Sequence, residues 1–145
     1  MRNLKQELLS RSGFIDNEFL DKYCQIVERN TVTRKMPRVT NSHHIIPKSW
    51  FKLNEQPVDN SLSNLVNLVY RDHVLAHYFL CLCTTDKLQY CNELALMCLT
   101  TRKKLNAVDK QLVTRLPLYY IIYENYKKHK DSNYQLYVKE ENIEV

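Results

Sequence analysis

The chain has 145 residues, of which 44% are hydrophobic, enough for one domain with a modest core. This composition argues against a disordered chain, and no apolar run is long enough to span a membrane. Basic residues outnumber acidic ones by 21 to 16, and the net charge of +5 is compatible with a nucleic-acid partner without requiring one. Five cysteines without a Cys-x-x-Cys pair argue against a disulfide framework or a cysteine-based zinc site.

The first clear helix is predicted to start at Asp16, a good N-cap, and to run to about Arg29. Its apolar stripe fits packing against a core and carries no predicted function. The stripe consists of Phe19, Leu20, Tyr23, Ile26 and Val27. A basic segment without acidic residues follows, and we interpret Arg34, Lys35 and Arg38 as contacts for backbone phosphates. The alternative for this segment is a solvated linker.

A first strand is predicted over residues 38–46, which are rich in β-branched side chains and end at Pro47. Adjacent side chains of a strand point to opposite faces, so His43 and His44 would not do the same job. One of them can bind a metal ion while the other faces the substrate. The alternative is an accidental histidine doublet.

A long irregular loop is predicted over residues 47–63, with Trp50 and Phe51 packing it against the body of the protein. Residues 65–69 then form a second short predicted strand. At the start of this strand, the Asn64 amide can bridge backbone groups across the loop and fix the loop's shape. The alternative for Asn64 is an ordinary turn residue.

A helix is predicted over residues 70–83, where apolar residues recur every three or four positions without Gly or Pro. His73 and His77 are four residues apart, so their imidazoles share a face and can converge on one metal ion. Taken alone, such a pair is more often a surface or core feature.

The rest of the chain is predicted to be helical. One helix, capped by Asp86, would run from Lys87 to about Lys104, and another would follow Ala107 and restart or kink at Pro117. The tyrosines and lysines of the last helix could touch DNA, although a packed face with a solvated basic end is the commoner arrangement. The acidic residues 140–144 are predicted to fray.

The histidine doublet, Asn64 and the His73–His77 pair together resemble the HNH, or His-Me finger, endonucleases. The wider sequence, which includes His44-Ile45-Ile46-Pro47-Lys48, resembles the free-standing and intron-associated HNH nucleases of bacteriophages. The resemblance implies an α+β fold, with a small ββα-metal core flanked by N- and C-terminal helices. We expect a single domain, with a helical and basic segment at 1–37, the HNH core at 38–83 and a helical segment at 84–145.

The resemblance also implies a role for each matching residue. His43, His73 and His77 match the metal ligands, His44 matches the general base, and Asn64 matches the residue that holds the loop and orients the base. A neutral imidazole suits the base role, because its ordinary pKa of about 6.5 lets it accept a proton from water near neutral pH.

The chain departs from the family pattern at two positions. Many relatives carry Glu where this chain has Asn41, and relatives often have a Thr helix cap where this chain has Val69. These departures affect the tuning of the metal site and the start of the helix. Lys48 and Arg71 are further candidates for contact with the scissile phosphate, with solvated surface charge as the alternative.

The expected reaction is the hydrolysis of DNA phosphodiester bonds to 5′-phosphate and 3′-hydroxyl ends, an outcome implied by the resemblance. It requires one divalent metal ion. We expect Mg²⁺ or Mn²⁺, with Zn²⁺ or Ni²⁺ as alternatives that imidazole ligands favour. DNA is the expected partner, without a membrane or a small-molecule substrate.

Two other function classes stay open from the sequence. One is a zinc-stabilised module that binds nucleic acid without cutting it, and the other is an RNA-directed or toxin-like nuclease. No separate recognition domain is visible, so a long target site would need a homodimer, the flanking helices or a partner. Because the first residues lack the apolar core of a signal peptide, we expect the protein in the cytoplasm of a bacterium or a phage-infected host cell.

Overall fold

The computed structural model describes residues 2–31, 40–100, 111–113 and 115–131. Within them the elements follow in the order α1 (Leu4–Leu9), α2 (Glu18–Thr31), β1 (Asn41–His44), α3 (Lys48–Leu53), a short 3₁₀ helix (Leu62–Asn64), β2 (Leu65–Leu68), α4 (Tyr70–Leu82), α5 (Asp86–Thr100) and α6 (Tyr119–Lys130). The fold is therefore α+β, as predicted, and mostly helical. None of the helices in these ranges combines the length and the apolar character that crossing a bilayer requires.

The two strands form an antiparallel pair, in which Asn41 lies opposite Leu68 and His44 lies opposite Leu65. Along β2, Val66 and Leu68 are buried while the residue between them is exposed, which is the alternation expected of a sheet with one covered face. Both strands lie within their predicted ranges. The first is shorter than predicted, and residues 38–39 of that prediction lie outside the described residues.

Helix α4 follows β2 after a single residue. Val69 takes the N-cap position without a side-chain hydrogen bond, so the cap that a Thr would supply is absent. α4 packs against both α2 and α5 and also contacts both strands. Burial on several sides explains why its apolar residues do not form one narrow stripe.

Two apolar clusters hold the helices in place. The first joins α1, α2, α3, the sheet and residues of α4, and the second joins α4, α5 and α6. The first contains Leu8, Leu20, Ile45, Leu68 and Leu80, and the second contains Val74, Leu96, Leu99 and Ile122. Because α4 contributes to both clusters, the helix that carries His73 and His77 is fixed on two sides.

The prediction of an irregular loop over residues 47–63 is wrong in part, because α3 begins directly after Pro47. Proline suits the start of a helix, and a helix of six residues is too short to show a clear period. Trp50 and Phe51 are buried on α3, as expected. The Trp50 indole N–H donates to the Ser12 carbonyl over 3.0 Å and thereby ties α3 to the connection between α1 and α2.

Two predicted helix starts need correction. Asn17, not Asp16, caps α2, since its Oδ1 accepts from the backbone N–H groups of Phe19 and Leu20 at 3.0 and 3.1 Å. α2 also continues past Arg29 to Thr31. α5 is assigned from Asp86, one residue earlier than predicted, although the positive φ of Asp86 (52°) is not helical.

Some predictions at the C-terminal end lie beyond the described residues. The extension of α5 to Lys104, the helix start after Ala107 and the acidic residues 140–144 all fall there. α6 begins at Tyr119, shortly after Pro117, which agrees with the predicted restart. Its last turn is basic, as expected for a helix C-terminus.

Candidate metal centre and catalytic residues

Three fully buried histidines meet between β1 and α4. His43 comes from the strand, whereas His73 and His77 lie one turn apart on the helix. One ring nitrogen from each lies within 4.8 Å of the others, and the Nε2 atoms of His73 and His77 are 3.2 Å apart. The spacing of four residues on α4 therefore produces the predicted convergence, and the sheet adds the third imidazole.

These distances fit a metal site. Two imidazole nitrogens bound tetrahedrally at about 2.0–2.1 Å lie about 3.3 Å apart, close to the separation between His73 and His77. The third nitrogen would have to approach by no more than about 1.5 Å, within the reach of small side-chain adjustments. A buried set of three nitrogens can therefore hold one metal ion.

Burial favours the neutral form of two of these imidazoles, those of His43 and His77. Burial lowers the pKa of His43 well below its ordinary value, and the neighbouring histidines lower it further. Burial and His73 likewise lower the pKa of His77, against a smaller opposing effect of the Asn92 side chain. A neutral imidazole offers a nitrogen lone pair, so the electrostatics suit metal binding.

Tyr23 reaches this centre from α2. Its hydroxyl lies 2.8 Å from His43 Nε2 and donates to the Ile45 carbonyl over 2.6 Å. In the sequence, Tyr23 belongs to an apolar stripe predicted to be core without a function, and it is indeed fully buried. Its contact with a residue 20 positions away has no signal in the sequence, because any buried Tyr would satisfy the same helical period.

His44 lies outside the cluster of three histidines, and the alternation of side chains along β1 puts it on the opposite face of the strand from His43. The residue is buried, with 7% of its surface exposed, its Nδ1 is shielded from solvent among the described residues, and its Nε2 lies 2.7 Å from Asn60 Oδ1. An amide oxygen only accepts hydrogen bonds, so Nε2 carries the proton and Nδ1 keeps the lone pair. Asn60 was not among the candidate residues from the sequence, where it forms part of an ordinary turn signal.

Asn64 spans the loop between the strands, as its sequence position suggests. Its Oδ1 accepts from the Ile46 N–H over 2.8 Å, and its Nδ2 donates to the carbonyls of Ile46 and Asp59 at 3.3 and 2.9 Å. In addition, the Ile45 N–H donates to the Asn64 carbonyl over 2.9 Å. This side chain is buried and fixes the backbone directly after the histidine doublet.

The candidate phosphate-binding residues are only partly described. Arg71 is exposed in the first turn of α4, and Lys48 is half-buried at the start of α3. Arg34, Lys35 and Arg38 lie outside the described residues. The structure thus brings His43, His73 and His77 together, with His44 outside this cluster. Phosphate binding by the basic residues stays a prediction.

Comparison with protein-family models, with curated proteins and with solved structures gave no match for this chain. The resemblance to HNH nucleases therefore rests on the motif residues themselves.

Proposed function

We propose that this protein is a metal-dependent DNA endonuclease of the HNH type, built on a ββα-metal core. The observation that carries the proposal is that the two neighbouring histidines of the strand have different surroundings. His43 joins two helical histidines in a buried cluster, while its neighbour His44 points away and is oriented by an amide. A merely structural cluster gives no reason for a second oriented imidazole beside it.

In this proposal His43, His73 and His77 hold one divalent metal ion. When bound, the metal supplies Lewis-acid stabilisation of the charge that develops on the phosphate and its leaving oxygen. Three protein ligands would leave the metal able to take water and phosphate oxygens as well, whereas a structural site is closed by four protein ligands. Mg²⁺ or Mn²⁺ fits if the remaining ligands are oxygens, and Zn²⁺ or Ni²⁺ suits the imidazoles.

His44 acts as the general base. With its Nε2 proton donated to Asn60 Oδ1, His44 has its lone pair on Nδ1; this atom is buried among the described residues and has to be uncovered when DNA binds to take a proton from the attacking water. Asn64 supports this arrangement by holding the backbone at Ile45 and Ile46, immediately after the base. Lys48, Arg71 and the basic residues Arg34, Lys35 and Arg38 would bind the backbone phosphates of the DNA.

A second candidate is a zinc-stabilised module that binds nucleic acid without cutting it. The observation in its favour is the all-imidazole, fully buried ligand set, which suits Zn²⁺. Its weakness is that a structural zinc site is closed by four ligands, and His44 faces away from the cluster.

The test is a cleavage assay with supercoiled plasmid and the full chain. The protein is incubated with Mg²⁺, Mn²⁺, Ni²⁺, Zn²⁺ or EDTA, and a single-stranded RNA is assayed in parallel. We expect nicking or linearisation of the plasmid that depends on metal and leaves 5′-phosphate ends. Retarded but uncut DNA with every metal would favour the binding module, and cleavage of RNA alone would show that the DNA assignment is wrong.

A further inference from the structure

We infer that Tyr23 is a positioning residue for the metal: it holds His43 as the Nε2–H tautomer and so makes Nδ1 the ligand atom. This role rests on the proposed metal site. It assigns a function to a tyrosine of α2 that lies outside the histidine motif and belongs to an apolar stripe.

The assignment follows from counting protons. The Tyr23 hydroxyl has a single proton and lies 2.6 Å from the Ile45 carbonyl oxygen and 2.8 Å from His43 Nε2. The carbonyl oxygen can only accept, so the hydroxyl proton goes to Ile45. For the second contact to be a hydrogen bond, His43 Nε2–H must donate to the hydroxyl oxygen.

The other ring nitrogen is then determined. A neutral imidazole carries one N–H, so Nδ1 of His43 bears the lone pair and is the nitrogen able to bind a cation. Histidine ligands of metals generally donate their second ring N–H to a protein acceptor, which fixes the orientation of the ring and strengthens the ligand. Tyr23 supplies that acceptor here with a phenol instead of a carboxylate or a backbone carbonyl.

The tyrosine is itself rigidly placed. Its ring is fully buried and meets the His43 ring edge-on, with the ring centroids 5.9 Å apart. α2 is joined to α4 near the metal ligands, because Asp72 accepts from Arg29 Nη2 over 3.0 Å and from Asn30 Nδ2 over 3.1 Å. Tyr23 therefore positions His43 from α2, a helix that is itself bonded to α4, which carries the other two ligands.

The role can be tested without DNA. Long-range ¹H–¹⁵N correlation spectra of the histidine rings report the tautomer of each imidazole in the metal-free wild-type protein, and a His43→Gln variant assigns the His43 signals. Calorimetric titration with Zn²⁺ then compares the wild type with Tyr23→Phe, which keeps the ring and removes only the hydroxyl. Tyr70→Phe is the matched control, since the Tyr70 hydroxyl also donates to a backbone carbonyl, that of Leu99, over 2.8 Å.

We expect the Nε2–H tautomer for His43, a loss of about 10- to 100-fold in Zn²⁺ affinity in Tyr23→Phe, and a change of less than about two-fold in Tyr70→Phe. An Nδ1–H tautomer of His43 in the wild type would overturn the inference even if Tyr23→Phe fails to fold. So would Zn²⁺ affinity in Tyr23→Phe that equals that of the control. Zn²⁺ binding as expected in a protein that cuts no DNA would reject the nuclease and leave the role of Tyr23 supported.

Discussion

A single amide, that of Asn64, completes the backbone hydrogen bonds around the turn after His44. Replacing Asn64 with Ala removes three hydrogen bonds to backbone groups, two of them to the buried Ile46. Unpaired buried polar groups are costly, so we expect the free energy of unfolding to fall by about 2–4 kcal/mol. Urea denaturation measures this loss. Asn67→Ala, at an exposed position of β2, is the control and should change stability by less than about 0.5 kcal/mol.

Asn60 has a different task, because its side-chain oxygen lies against the ring of the proposed base. Asn60→Ala frees His44 Nε2 and lets the imidazole rotate or change tautomer, so we expect the cleavage rate to fall by about 10- to 100-fold. Zn²⁺ affinity should stay unchanged, since His44 faces away from the cluster. Asn54→Ala, which removes another loop amide, serves as the control. Equal cleavage rates in the two variants would show that Asn60 does not orient the base.

At the scale of the elements, α5 and α6 are joined by a buried acid–imidazole contact. Glu93 Oε1 lies 2.6 Å from His129 Nδ1, and only 1% of Glu93 is exposed. Burial raises the pKa of Glu93 to about 8. It lowers the pKa of His129, against a smaller opposing effect of Asp86. Because folding changes both pKa values, the free energy of unfolding depends on pH through this contact.

The pKa of Glu93 is raised and that of His129 is lowered, so the two groups change the stability in opposite directions as the pH rises. A carboxyl whose pKa rises from 4.5 to about 8 on folding loses its stabilising contribution as the pH rises through that interval. The lowered pKa of His129 offsets this loss of stability only below the ordinary imidazole pKa of 6.5, because there the unfolded imidazole binds a proton that the folded one does not. A net loss is therefore expected between about pH 6.5 and 8, with a slope of at most about 1.4 kcal/mol per pH unit.

Glu93→Gln should remove this slope, because the amide keeps the shape of the side chain but does not ionise. Urea unfolding of wild type and variant at pH 6.5 and 8.5 measures the effect, and the difference between the two proteins cancels the titration of all other groups. Identical pH dependence in both proteins would show that Glu93 is already ionised in the folded state at pH 6.5.

Both strands and α4 could be predicted from the sequence, because their signals are local. Alternation separates His43 from His44, and a spacing of four places His73 beside His77. The six-residue helix α3 was missed because it is shorter than two helical turns and so shows no full period. The contacts of Tyr23 and Asn60 were missed because each depends on how distant segments pack, which the spacing of residues does not encode.

For the whole molecule, the ligands of the proposed metal come from a strand and a helix that are separated by a long connection. A metal ion that binds the folded but not the unfolded chain should stabilise the protein by about 2.7 kcal/mol at 100 times its dissociation constant. Thermal or urea unfolding with Zn²⁺ and with EDTA measures this gain. His73→Ala should abolish it, and an equal gain in that variant would place the metal elsewhere.

The two imidazoles of the doublet are proposed to do different work, and one paired measurement separates their roles. His44→Ala and His77→Ala are each assayed for Mn²⁺ binding by calorimetry and for nicking of supercoiled plasmid. We predict that His44→Ala binds Mn²⁺ within about three-fold of the wild type but does not nick, while His77→Ala loses both properties. Nicking by His44→Ala would show that His44 is not the base, and Mn²⁺ binding by His77→Ala at wild-type affinity would show that His77 is not a ligand.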